Sequence, residues 1–272
     1  MIEDTTKVVL ITGASSGLGK RTAQYLAAKG MRVYGTARNA TKHTPDASFE
    51  LLSLDVTKPE TITEAIAYIV NKEGRIDVLV NNAGMGITGP LEETPLEEIQ
   101  KVFDVNLYGP LRMIQAVLPH MRAQAGGLVI NITSIAGFMG LPFRGVYSAT
   151  KGALELITET LRMETKSFGV KVTAIAPGDF ATNIAAGRYH APVKEGSAYQ
   201  ATYQSVLDGI NGDVDQGEDP VLVAQKVYQV ITKSQPKVRY AVGVFLQKLS
   251  LLLKKILPGN LFERLLLNHY KL

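Results

Sequence analysis

Tyr147 and Lys151 stand four residues apart in Tyr147-Ser148-Ala149-Thr150-Lys151. On a helix that spacing puts both on one face, one turn from each other. A phenol is a poor acid and a poor base near neutrality, because its ordinary pKa is about 10. An ammonium one turn away stabilises the phenolate and draws that pKa down. The pair is therefore suited to giving a proton to a developing alkoxide, or taking one from an alcohol. The same spacing also occurs on solvated helices that do no chemistry. The assignment depends on what the rest of the chain places beside it.

The elements around the pair alternate. Val8 to Ile11 is a short apolar run, as expected of a strand buried on both faces. It ends in Thr12-Gly13-Ala14-Ser15-Ser16-Gly17-Leu18-Gly19, and a helix is expected over 20–29, then a strand over 31–36. Strand, glycine-rich turn, helix, strand is the opening unit of a doubly wound dinucleotide fold. Glycines let backbone approach a pyrophosphate, and the helix N-terminus offers it unpaired N–H groups. Further strands are expected over 51–54, 78–80, 128–132, 171–175 and 239–243, and helices over 59–71, 96–124 (bent near Gly109-Pro110), 146–168 and 221–232. This pattern predicts one α/β domain over 1–243, a parallel sheet of about seven strands with helices on both faces. Ligands bind such sheets beyond the carboxyl ends of the strands. The glycine loop, Asp55, Asn82, Ser134 and Pro177 each follow a strand there.

Composition narrows the classes. At 46% hydrophobic and 20% charged, the chain has ample material for a core. A net charge of +4 is mild for 272 residues, and no basic cluster is interleaved with aromatics, so nucleic acid is not an expected partner. The chain has no cysteine, which removes disulfides and thiolate chemistry. None of its four histidines forms a metal-like pair, and no catalytic metal is expected. The polar start, 1–7, reads without a signal peptide, and no apolar run is long enough to span a bilayer. A cytoplasmic location is expected, with peripheral membrane association as a further reading.

Two segments are less regular. From Thr182 to Pro220, glycines and prolines punctuate short helical stretches, as in a lid over a catalytic face or an ordinary surface excursion. The tail, 244–272, carries apolar residues at helical spacing: Phe245, Leu249, Leu252 and Ile256, then Leu261, Phe262, Leu265, Leu266 and Leu267, with Lys248, Lys254 and Lys255 among them. Such a tail can pack on the core or a subunit, fold over the pocket, or lie in a membrane interface.

Over about residues 7–185 these motifs resemble the classical short-chain dehydrogenase/reductase family in order and spacing. The resemblance implies a nicotinamide cofactor held by Gly13, Ser15, Ser16, Gly17, Leu18 and Gly19, with Asp55 and Val56 beside the adenine and Asn82, Ala83 and Gly84 as the Asn-Asn-Ala-Gly segment. Pro177, Gly178 and Thr182 match the segment that holds the nicotinamide carboxamide. Ser134, Tyr147 and Lys151 match the catalytic serine, tyrosine and lysine, and Asn106 matches the helix asparagine that anchors a relay water. A dimer or tetramer through the helices near 100–124 and 146–168 is also implied.

The chemistry follows from residue types. A carbonyl that receives hydride becomes an alkoxide, which needs a proton donor and a hydrogen-bond donor. Tyr147 would supply the proton, Ser134 would hold the oxygen, and Lys151 would lower the tyrosine pKa and bind the nicotinamide ribose. Where an acidic residue would read a ribose 2′-hydroxyl, this chain has Ala37 followed by Arg38. An arginine suits a 2′-phosphate, so NADP(H) is expected over NAD(H). The apolar loop 135–143 points to a substrate pocket lined by Phe138, Gly140, Leu141 and Pro142, and to a hydrophobic carbonyl or alcohol as substrate. The alternatives are a nucleotide-sugar epimerase or dehydratase, and a non-catalytic NADP-binding regulator.

Overall fold

Every residue of β1 (Val8–Ile11) is buried, and alternate side chains enter two different cores. Val8 and Leu10 join Ile62, Ile69, Met113 and Val117 on one face. Val9 and Ile11 meet Leu26, Val223 and Val227 on the other. A strand covered on both sides belongs in the middle of a parallel sheet. That is where it lies in the computed structural model, which describes residues 6–180, 187–215 (side chains to 210) and 218–272.

After β1 the described strands are β2 (Arg32–Ala37), β3 (Glu50–Ser53), β4 (Val78–Asn81), β5 (Ile87–Thr88), β6 (Gly127–Ile132), β7 (Val170–Pro177), β8 (Tyr189–His190) and β9 (Arg239–Val242). Seven form one sheet in the order β3-β2-β1-β4-β6-β7-β9, with every pairing parallel. The helices are α1 (Gly17–Ala28), α2 (Pro59–Glu73), α3 (Leu96–Phe103), α4 (Gly109–Ala123), α5 (Gly145–Glu164), α6 (Gln200–Asp215), α7 (Val221–Ile231), α8 (Phe245–Ile256) and α9 (Gly259–Tyr270). Helices α2 and α4 cover one face, α1 and α7 the other. The fold is the single doubly wound domain that the alternation predicts. The order in which strands are added reverses between β1 and β4, which opens the crevice at their carboxyl ends.

The expected helix over 96–124 is divided. Between α3 and α4, residues Asp104–Tyr108 form one π turn, in which Gly109 N–H reaches the Asp104 carbonyl. Pro110 has no N–H to return to the carbonyl four residues back, that of Asn106. The wider turn accommodates this, and such insertions concentrate at functional sites. Gly109 is required for a second reason: a Cβ there would lie 2.8 Å from the Val56 side chain.

The segment after β7 is more regular than its glycines suggest. Strand β8 pairs with β5 in a separate two-stranded sheet, and Gly209 and Gly212 lie within α6. Part of the expected lid, including Thr182, falls outside the described residues.

The tail folds back. Phe262 is buried against Ile135 and Met139, with Leu251, Leu253, Leu257 and Leu266 packed around it. Phe262→Ala should cost the tail about 3–5 kcal/mol. The expected readout is faster amide exchange across 245–270 with protection of the sheet unchanged. Equal loss everywhere, or none, would contradict this local docking.

Candidate active site

The glycine loop and the loop after β4 are laced together. The Thr12 hydroxyl accepts the N–H groups of Asn82 and Ala83 at 3.0 and 2.9 Å. The Asn82 amide returns bonds to the carbonyls of Thr12 and Gly13 at 2.9 and 3.0 Å. Asn82 thus shapes the loop from behind. Gly13 takes the left-handed conformation at φ +67°. At Gly19 a Cβ would sit 2.3 Å from the Gly13 carbonyl oxygen, so any side chain there breaks the turn.

Helix α1 starts with Ser16 at its N-cap, making no side-chain cap bond, and with no acidic residue in its first turn. Its first N–H groups lie where Ser15, Ser16, Gly17, Leu18 and Gly19 line a cleft. That arrangement fits a pyrophosphate. The same cleft is lined by Ala37, Arg38, Asp55, Val56, Asn82, Ala83, Gly84, Pro177 and Gly178. The structure therefore brings together every expected cofactor residue that lies within the described range. Asp55 is partly committed locally, since its Oδ1 accepts from the Thr57 N–H and hydroxyl at 2.9 and 2.8 Å.

At the other end of the cleft stand Ser134, Tyr147 and Lys151. Ser134 lies two residues beyond β6 in extended backbone, where its Oγ accepts the Ala136 N–H at 3.1 Å. Tyr147 and Lys151 rise from the first turns of α5, with the ammonium 5.9 Å from the tyrosine ring centre. Asn106 is fully buried. Its Oδ1 accepts the Met85 N–H at 2.8 Å, and its Nδ2 donates to the Met85 carbonyl at 2.9 Å and to Thr150 at 3.2 Å. Its amide therefore clamps Met85, which itself lines the cleft.

The electrostatics differ from expectation. Burial pushes the Tyr147 phenol up, and the charge of Arg144, the Ser134 hydroxyl and the charge of Arg188 oppose it. Lys151 is not among the main influences on it. Its Nζ turns instead to the Ile132 carbonyl at 3.0 Å. Burial lowers its own pKa from 10.5 to about 8, against the field of Glu155. The cations that favour the phenolate are two arginines.

The residues expected to line the substrate pocket stand apart from this cleft. None of Phe138, Gly140, Leu141 and Pro142 lines the cleft. Phe138 and Leu141 pack beneath the tail, and the Arg239 guanidinium lies 4.5 Å from the Phe138 ring centre. An apolar loop beside a site can bury against a neighbouring helix as readily as against a ligand, and here the tail supplies that helix. The tail also reaches the cleft wall, where Gln247 donates to Asp179 Oδ2 at 2.8 Å.

What lines the cleft beside Tyr147 instead is Met85, Gly86, Ile87, Arg144, Asp179, Phe180 and Arg188. Arg144 caps α5 with its guanidinium 5.8 Å from the Tyr147 ring centre. It follows Phe143, held at φ +56°, a conformation that costs a non-glycine residue about 1–3 kcal/mol. The Phe143 ring packs against Tyr203 at 5.2 Å, and its carbonyl accepts the Gly89 N–H at 2.9 Å, which hold the turn. Arg188 and Asp179 were not legible beforehand, because no motif marks them. Both are brought in by pairing, Arg188 through β8 and Asp179 at the end of β7.

A parallel sheet with this switch point, a pyrophosphate cradle and a Ser-Tyr-Lys wall defines a nicotinamide-dependent oxidoreductase. The chain belongs to the short-chain dehydrogenase family, whose model matches residues 7–192. It is 37% identical over 258 residues to a 3-ketodihydrosphingosine reductase of Bacteroides thetaiotaomicron, covering 94% of this chain and 95% of that one. It is 36% identical over 251 residues to 17-beta-hydroxysteroid dehydrogenase type 1 of Mus musculus, covering 86% and 72%. A solved short-chain dehydrogenase from Streptomyces avermitilis superposes with a TM-score of 0.83 at 34% identity, over 98% of this chain and 97% of that one.

Proposed function

We propose that this protein is an NADP(H)-dependent oxidoreductase that interconverts a hydrophobic ketone or aldehyde with its alcohol. The observation that carries the reading is the meeting of Ser134, Tyr147 and Lys151 at one end of a cleft whose other end is the Gly13–Gly19 cradle. The nicotinamide, when bound, supplies or accepts the hydride. Tyr147 gives the proton to the developing alkoxide, Ser134 donates a hydrogen bond to the same oxygen, and Lys151 holds positive charge behind them. The Asn106 amide is already spent on Met85 and Thr150, so a relay water would be held by the Asn106 backbone carbonyl, which Pro110 leaves without its helical donor.

The NADP(H) preference rests on the end of β2. Ala37 supplies no carboxylate to repel a 2′-phosphate, and exposed Arg38 lines the cleft without an ion-pair partner among the described residues. A charge-assisted pair there is worth roughly 1.5–3 kcal/mol. Arg38→Ala should therefore weaken NADPH binding about ten- to hundredfold more than NADH binding. Equal losses for the two would remove the preference.

The wider reading also has support. Leu156 and Met163 of α5 are 66% and 70% exposed, which favours a dimer or tetramer through that face. The outer side of α8 presents Phe245, Leu252 and Ile256 with Lys248 and Lys255 beside them, as peripheral membrane contact requires. Among the described residues no helix is long and apolar enough to cross a membrane. The deciding experiment is NADPH oxidation with purified protein against steroids, retinal, 3-ketosphinganine and small diketones. No net consumption with any carbonyl would favour an epimerase, a dehydratase or a non-catalytic role.

A further inference from the structure

Arg188 lies across Gly86: a Cβ on that glycine would meet the Arg188 Cγ at 2.9 Å and its Nε at 3.0 Å. Its seat is fixed by β8, where the Tyr189 N–H bonds the Gly86 carbonyl at 3.0 Å. The Arg188 Nη1 is buried and has no hydrogen-bond partner among the described residues. Arg144 enters the same cleft from the start of α5, close enough that its charge adds to burial in lowering the Arg188 pKa. Neither guanidinium forms an ion pair among the described residues. A guanidinium nitrogen buried without a partner is costly, and a second like charge lining the same cleft adds to that cost. A site that maintains both holds them for something that arrives.

We infer that the substrate carries a carboxylate close to its reacting carbonyl, and that Arg144 and Arg188 bind it beside Tyr147. This rests on the reductase reading and narrows its substrate to an amphipathic keto acid. The charge of the wall selects the kind of anion. Asp179 shares it, held by Gln247, while Lys151 is set against Glu155. Two guanidiniums against one carboxylate leave a single positive charge, which matches a monoanion better than a phosphate. The apolar remainder of such a substrate has Met85, Ile87 and Phe180 to lie against. The position of the pair beside the phenol, rather than at the glycine cradle, separates it from the nucleotide phosphates.

The test uses a series of medium-chain keto acids, each compared with its own methyl ester. In calorimetric titration of the cofactor-loaded protein, the free acids should bind about ten- to hundredfold more tightly than the esters, the range expected for charge-assisted pairs. Arg144→Met and Arg188→Met should each bring the acid-to-ester ratio close to one, and Arg188→Lys should recover part of it, with circular dichroism showing that all three are folded. In turnover, the acids should outrun a long-chain aminoketone, whose ammonium meets two like charges.

Equal binding of acid and ester by the wild type overturns the inference, as does a faster aminoketone. If Arg188→Met weakens NADPH binding and leaves the acid preference intact, the guanidinium serves the nucleotide and the inference also fails. Tight, arginine-dependent binding of the acids with no reduction would sustain this inference and sink the reductase reading.

Discussion

Tyr147→Phe should lower turnover by about 10²- to 10⁴-fold, the usual worth of a positioned general acid, and leave cofactor affinity unchanged. The phenyl ring preserves the contacts that Tyr147 makes with Ile87, Val102 and Val146, so the variant deletes a proton donor without opening a cavity. The size of the loss follows from what surrounds the hydroxyl. Burial holds the phenol protonated, while Arg144, the Ser134 hydroxyl and Arg188 favour its anion. The group therefore keeps its proton in the resting site and has cations beside it to stabilise what remains after transfer. Parallel measurements of NADPH binding by fluorescence and of turnover would separate the two effects. Retention of more than about a tenth of wild-type turnover would lie below the loss expected of a general acid and would show that the proton comes from elsewhere.

The sheet was legible because its strands are buried on both faces and read as unbroken apolar runs. Val8 to Ile11 is apolar at every position, and its alternate residues serve two cores. The cofactor end was legible because close backbone approach restricts residue type: Gly19 has room for nothing larger. The substrate end was not, because it depends on where distant segments pack. Phe138 and Leu141 look like pocket walls in a linear reading, yet they pack into the cluster that holds the tail. Arg188 belongs to no pattern, and only the pairing of β8 with β5 carries it to Tyr147. The π turn was anticipated only as a bend, since Gly109-Pro110 signals a broken helix but not how the break is accommodated.

Lys151→Met should make the protein more stable and nearly inactive at once. The residue is 5% exposed, and its ammonium gives up hydration on folding, which lowers its pKa from 10.5 to about 8. A lysine lowered in this way opposes folding wherever it is charged in both states. As pH rises from about 8 toward 10.5, the folded chain gives up the proton while the unfolded chain keeps it. The unfolded state then binds more protons, so stability from this group rises with pH across that window. Met fills a similar volume with no charge to desolvate. At neutral pH the gain should be about 1–3 kcal/mol, after allowing for the lost bond to the Ile132 carbonyl. Urea denaturation of the two proteins at pH 7 and near pH 10 checks this, because the gap between them should close at the higher pH. A gap that stays constant, or a variant less stable at neutral pH, would mean the ammonium is compensated in the fold. The activity follows the opposite sign: wild-type kcat/KM should fall as pH rises through about 8, when Lys151 gives up its positive charge. The residue that the site needs most is then one that the fold would be more stable without, as is common where catalysis requires a buried charge.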